Sequence, residues 1–240
     1  MASNFYSTIE ARREEFWKRK LFDSNLSEVE VVEALHAYEP NLQERRQLFI
    51  RACRSDYSQV AELLIKDLDL DPSYMGDIAL TEAAKYNSVS VMRLLLDDAR
   101  VLAADREGRM EENIAIIYAC NRCHPRAVRI LLRDGRVHPE LKDNLAASEV
   151  YKHVKAITDN IFSQLLYKNP EMFDTTDRTP GGTVVPDMYL VQDNLHLVNP
   201  RVREGLQGYI HILSVLLSDS RVMNTLDPVL YNTYSSYLGG

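Results

Sequence analysis

Residues 94–101 read LLLDDARV, residues 131–137 read LLRDGRV and residues 216–222 read LLSDSRV. A phrase kept three times in 240 residues marks either repeated chemistry or repeated architecture, and its surroundings decide between the two. LTEAAKYNSVSVMRLLLDDARV (80–101), shifted forward by 36, lies without a gap over IIYACNRCHPRAVRILLRDGRV (116–137). Shifted back by 31, it lies over FIRACRSDYSQVAELLIKDLDL (49–70). Ala83 then meets Ala119 and Ala52, Leu95 meets Leu131, Leu94 meets Leu63, and Val101 meets Val137 and Leu70.

Each unit has one grammar. A short helix ends in small residues: Ala52-Cys53, Ala83-Ala84, Ala119-Cys120. A polar turn follows, and then a second helix with apolar residues at helical spacing, such as Val89, Met92, Leu95 and Leu96. The thrice-kept phrase closes this second helix, and an aliphatic residue (Leu70, Val101, Val137, Val222) returns to the core. Asp71-Pro72, His138-Pro139 and Asp227-Pro228 start the way out, because the residue before proline is pushed away from helical backbone. Asp77 and Asn113 stand where a side-chain oxygen caps the next helix.

A unit of 31–36 residues built as helix, turn, helix and protruding loop resembles the ankyrin repeat. LTEAA with LLLDDARV, IIYAC with LLRDGRV, and FIRAC with LLIKDLDLDP carry the resemblance. Leu80-Thr81 stand where the family's opening T-P-L-H has L-H, but Ile78-Ala79 replace T-P, so the bonds tying neighbouring loops differ from the family's. In flavour the units are similar to the divergent ankyrin repeats of large DNA viruses of protists. The resemblance implies an all-α helical solenoid.

On this reading residues 1–46 form an N-terminal helical cap, with capping boxes at Ser7–Glu10 and Ser27–Glu30 starting helices near 8–21 and 28–38. Repeats cover about 47–77, 78–113, 114–147, 148–169 and 188–226, and residues 169–187 form an inserted loop. In the fourth unit Leu165-Leu166 take the place of Leu131-Leu132, and His153 stands where Ala119 stood, so that junction is rearranged. In the fifth, 188–198 and 204–218 are the two helices. Residues 227–240 supply a C-terminal capping helix and tail, since the ends of a repeat array meet water.

Composition bounds the function. A net charge of −7 argues against general nucleic-acid binding, which needs a basic surface. The basic residues of ARREEFWKRK near the N-terminus alternate with Glu14 and Glu15, as on a solvated helix face. No run approaches the ~18 apolar residues of a membrane span, no signal peptide is evident, and three cysteines do not make a disulfide framework. The expected setting is intracellular and cytoplasmic, with no membrane partner.

The one tempting chemical motif is Cys120-Asn-Arg-Cys123-His124, which has the spacing of haem attachment. With His138 it would also offer four zinc-type ligands. Its register gives a simpler account: Cys120 takes the small-residue position of Cys53 and Ala84, and Cys123-His124 fall in the turn. TPGGT lacks the lysine of a phosphate loop, and no nucleophile, base and orienter come together. The expectation is a non-enzymatic chain with no cofactor or metal.

A helical repeat array buries its core between neighbours and exposes a concave face, and its output is binding a macromolecule there. The resemblance places contacts at loop tips and on the exposed side of each first helix: Tyr74, Met75, Arg106, Arg109, Met110 and Lys142 at tips, and Thr81, Glu82, Lys85, Tyr118 and Asn121 on first helices. Tyr, Met and Arg are favoured interface anchors. The expected partner is another protein, met by a monomer or by one part of a larger assembly. The alternatives are a structural component of a virus particle and a metal or cofactor protein using CNRCH.

Overall fold

The computed structural model describes residues 2–23, 25–102, 114–168, 191 and 193–238. Among these it is all-helical: twelve α-helices, two short 3-10 turns and no strand. The chain divides into two compact units, residues 1–112 and 113–240.

The first unit contains α1 (Ala2–Leu21), α2 (Glu28–Ala37), α3 (Leu42–Ser55), α4 (Ser58–Lys66), α5 (Tyr74–Lys85) and α6 (Val89–Asp97). They pair in order as helical hairpins, α1 with α2, α3 with α4, and α5 with α6. The second and third hairpins meet through α3 against α5, and α2, α4 and α6 pack in succession. The repeated positions explain this. Ala52, Cys53, Ala83 and Ala84 are all buried, and residues this small let α3 and α5 approach closely. On the second helices Val60, Ala61 and Leu64 of α4 share a register with Val91, Met92 and Leu95 of α6, and all six are buried.

Carboxylates link successive hairpins. Glu28 accepts hydrogen bonds from Gln59 N (2.6 Å) and Val60 N (3.4 Å) at the start of α4. Asp56 accepts from Ser90 N (2.9 Å) and Val91 N (3.0 Å) at the start of α6. Each meets free N–H groups at a helix start, where negative charge is favoured. Asp56, Asn87 and Cys123 occupy the same turn position in successive units, and all three are left-handed, with φ near 58°.

The second unit contains α7 (Ile114–Asn121), α8 (Pro125–Arg133), α9 (Leu141–Lys168), a 3-10 turn (Leu195–Leu197), α10 (Pro200–Leu217), α11 (Ser220–Thr225), α12 (Pro228–Ser235) and a closing 3-10 turn (Ser236–Leu238). The hairpin of α7 and α8 repeats the earlier pattern: Ala119 and Cys120 are buried, and so are Ala127, Val128 and Leu131. α7 packs against α9, α8 against α10, and α9 against α10. Tyr234 of α12 stacks on Tyr151 of α9 at 4.5 Å, Tyr237 meets the same ring edge-on at 5.4 Å, and burial pushes the Tyr237 hydroxyl up to about 12.

Four expectations change. First, residues 148–169 do not make a helical hairpin. α9 runs unbroken for 28 residues, across the expected boundary at 147/148. It holds neither Gly nor Pro, and Pro139 and Pro170 bracket it. The turn position held by Asp56, Asn87 and Cys123 falls on Ile157 here, and a β-branched residue strongly resists left-handed backbone. Second, Asp77 does not precede a helix: α5 begins at Tyr74, and Asp77 sits in its first turn with φ 59°. Asp71 is the acceptor there, taking bonds from Ser73 N (2.9 Å) and Ser73 Oγ (2.7 Å). Third, Ser7 lies inside α1 and does not start it. The box at Ser27 does form, with Glu30 accepting from Ser27 N at 2.9 Å. Fourth, the third copy of the repeated phrase leads into another helix, because Asp219 accepts from Arg221 N and caps α11. The inserted loop 169–187 and Asn113 lie outside the described residues.

The three copies do share one local structure. Arg100, Arg136 and Arg221 each donate a backbone N–H to the Asp two residues earlier, at 2.9–3.0 Å, and a guanidinium N–H to the same carboxylate at 2.6–2.7 Å. The guanidinium holds the Asp134 and Asp219 carboxyls below the usual aspartate range. Arg221 also reaches the α8 hairpin, donating to Val137 O (2.6 Å) and Leu132 O (2.8 Å).

Candidate interaction surface

The buried face of α3 carries Leu48, Phe49, Ala52 and Cys53. The helical period therefore turns Gln43, Arg46, Gln47, Ile50 and Arg54 the other way. With Tyr74 from the start of α5 these five line an open groove of about 650 Å³. A second hollow, of about 70 Å³, shares Arg46, Ile50 and Tyr74 and is walled by Phe49, Leu70, Pro72, Ile78 and Ala79. Tyr74 is held by a cation: the Arg46 guanidinium carbon lies 3.7 Å from its ring centre, a cation–π distance.

Further along the same face, Arg54 Nε donates to Glu82 Oε2 at 2.6 Å, and Lys85 Nζ lies 3.6 Å from Glu82 Oε1. Tyr86, 50% exposed, sits between these cations at 5.8–5.9 Å. Glu82 differs from the expectation of an exposed contact residue: it is 9% exposed, because it is the acid that draws Arg54 and Lys85 together. Thr81 and Lys85 are half-buried on the same helix. The backbone of Met75 falls in the first turn of α5.

In the second unit Tyr118 is exposed at 39% on α7. Asn121 is half-buried, and its carbonyl accepts the Tyr209 hydroxyl of α10 at 2.9 Å. Tyr209 in turn stacks on His153 at 4.8 Å, so an aromatic pair fills the junction where the small residue is lost. Lys142 lies in the first turn of α9. Arg106, Arg109 and Met110 lie outside the described residues. The structure thus gathers Tyr74, Thr81, Glu82 and Lys85 on α5 and places Tyr118 and Asn121 in the other unit.

Cys120 and Cys123 have packing roles. Cys120 is fully buried, and burial pushes its thiol up. Cys123 turns its sulfur toward α10, 4.0 Å from Gly205 O, and a Cβ on Gly208 would stand 2.5 Å from that sulfur. His138 pairs with Glu140 at 3.1 Å. Among the described residues no three His, Cys, Asp or Glu side chains gather as metal ligands, and no helix is long and apolar enough to cross a membrane.

Arg46, Ile50, Arg54 and Tyr86 are not among the residues expected from loop tips and first helices. The signal for two of them was present, since the 31-residue shift carries Thr81 and Lys85 onto Ile50 and Arg54. No family model, curated protein or solved structure matches the chain.

Proposed function

We propose that this chain is a non-catalytic protein-interaction module of ankyrin type, binding a protein partner through the outward side of its first helices and the loop tips beside them. One observation supports this reading most strongly. The hairpins place α3 beside α5 through buried small residues, and the opposite side of that pair is a groove walled by Arg, Gln, Ile and Tyr. Arg and Tyr are the residue types that carry interface energy, and the groove adjoins an apolar hollow. The thrice-kept Asp-x-Arg phrase forms internal turn bonds, so it serves the frame rather than a reaction.

The test is cross-linking mass spectrometry on the full chain in extracts of its native cells, beside a variant with Tyr86→Ala and Tyr118→Ala. The reading expects a specific protein cross-linked to α3, α5 or α7, with recovery falling about tenfold in the variant. Cross-links confined to α4, α6 and α8, or equal recovery by the variant, would overturn it.

A further inference from the structure

The groove on α3 is lined by two arginines and no acid. The chain carries −7 overall, yet the side chains lining the groove are Gln43, Arg46, Gln47, Ile50, Arg54 and Tyr74, with no carboxylate among them. Arg54 already gives its Nε to Glu82. Arg46 makes no ion pair among the described residues, and its Nε is buried with no hydrogen-bond partner. Its guanidinium is instead laid against the Tyr74 ring. Stacking of this kind fixes the plane of the group and leaves its donor edge for a ligand, and that edge matches a carboxylate in two-point fashion. The hollow beside it is apolar, with Phe49, Leu70, Pro72, Ile78 and Ala79 around it, and its volume of about 70 Å³ suits one aliphatic or small aromatic side chain. Asp71, the one acid on its wall, is engaged by Ser73 N and Oγ.

We infer that the α3 groove is built for an acidic peptide segment, one carboxylate engaging Arg46 while a neighbouring apolar side chain enters the hollow between Phe49, Leu70 and Tyr74. This deepens the interaction-module reading and rests on it. Charge complementarity supplies the direction: in a chain of net charge −7, a groove lined by arginines and no acid attracts an acidic segment. Gln43 and Gln47 add amide donors and acceptors along the wall without changing the sign of the groove.

The test is selection of a displayed random-peptide library on the full chain, followed by fluorescence polarisation of the enriched peptides. The inference expects enriched sequences to combine Asp or Glu with Leu, Ile, Met or Phe. Arg46→Lys should weaken them about tenfold, since a lysine loses both the stack and the two-point geometry. Gln47→Glu, an exposed change that leaves the core intact, should weaken them too, and Gln47→Arg should tighten them. Helical circular dichroism is expected to stay unchanged in all three variants. Enriched peptides that are neutral or basic, or that bind the Arg46 and Gln47 variants equally, overturn the acidic-segment inference and leave the module reading standing. No enrichment over a blank surface overturns both.

Discussion

Two junctions built from the same repeat position are filled in opposite ways. Between α3 and α5 the small residues Ala52, Cys53, Ala83 and Ala84 are all buried, and the two helices pack against each other. Between α7 and α9 the small pair survives on one side only, as Ala119 and Cys120, and α9 offers His153 instead. There α10 contributes what is missing. Tyr209 stacks on His153 and bonds to Asn121 O, and Gly208 makes room for the Cys123 sulfur, which lies 4.0 Å from Gly205 O. The comparison shows that the repeat sets helix direction and the closing turn, while the local filler is free to change. The two fillings differ in what they cost to change: enlarging a buried small residue overpacks the first junction, whereas removing the stacked pair from the second loses one ring contact.

The largest effect is expected at the first junction. Ala83→Leu places a large side chain at a fully buried position and should lower stability by about 3 kcal/mol in urea unfolding. His153→Ala, which removes the Tyr209 stack, should cost about 1 kcal/mol. Equal costs at the two sites would erase the distinction. Next comes Arg221→Ala. It removes two charged bonds to the α8 hairpin and should cost about 2 kcal/mol, with faster hydrogen exchange at Asp134–Val137.

Gly208→Ala is expected to cost about 1–2 kcal/mol, because its Cβ would overlap Cys123 Sγ. Cys123→Gly in the same chain should remove that penalty, as it deletes the sulfur and suits φ 57°. A double-mutant cycle with no coupling would show that the sulfur is not the obstacle.

The remaining effect depends on pH. Asp134 and Asp219 have folded-state values below the ordinary 3.8, so the stability they contribute is complete above that value and is lost as pH falls through the lowered ones. Asp134→Asn should therefore cost about 1 kcal/mol at pH 7 and progressively less in strong acid, read from thermal unfolding. A cost independent of pH would mean that charge is not what holds the turn.

Much of the frame was legible from residues 49–137. The small pairs and the aliphatic closing residues predicted helices α3 to α8, and every one of those positions is buried. What remained hidden has physical causes. Leu165-Leu166 imitate the end of a second helix, but a helix needs a residue that stops it, and Ile157 is not one. Asp77 has the chemistry of a cap, yet α5 already starts at Tyr74, after a turn in which Asp71 accepts from Ser73 N. The candidate surface was half visible. Tyr74, Lys85 and Tyr118 follow from the repeat, whereas the inward draw on Glu82 and the stacking of Arg46 on Tyr74 arise from contacts between helices that spacing along one chain does not encode.

Hydrogen exchange of the full chain, free and saturated with an enriched acidic peptide, tests most directly whether the first helices form the binding face. The account predicts slowed exchange in Leu42–Ser55 and Tyr74–Lys85, with Ser58–Lys66 and Val89–Asp97 unchanged. Slowing confined to Ser58–Lys66 and Val89–Asp97 would contradict it.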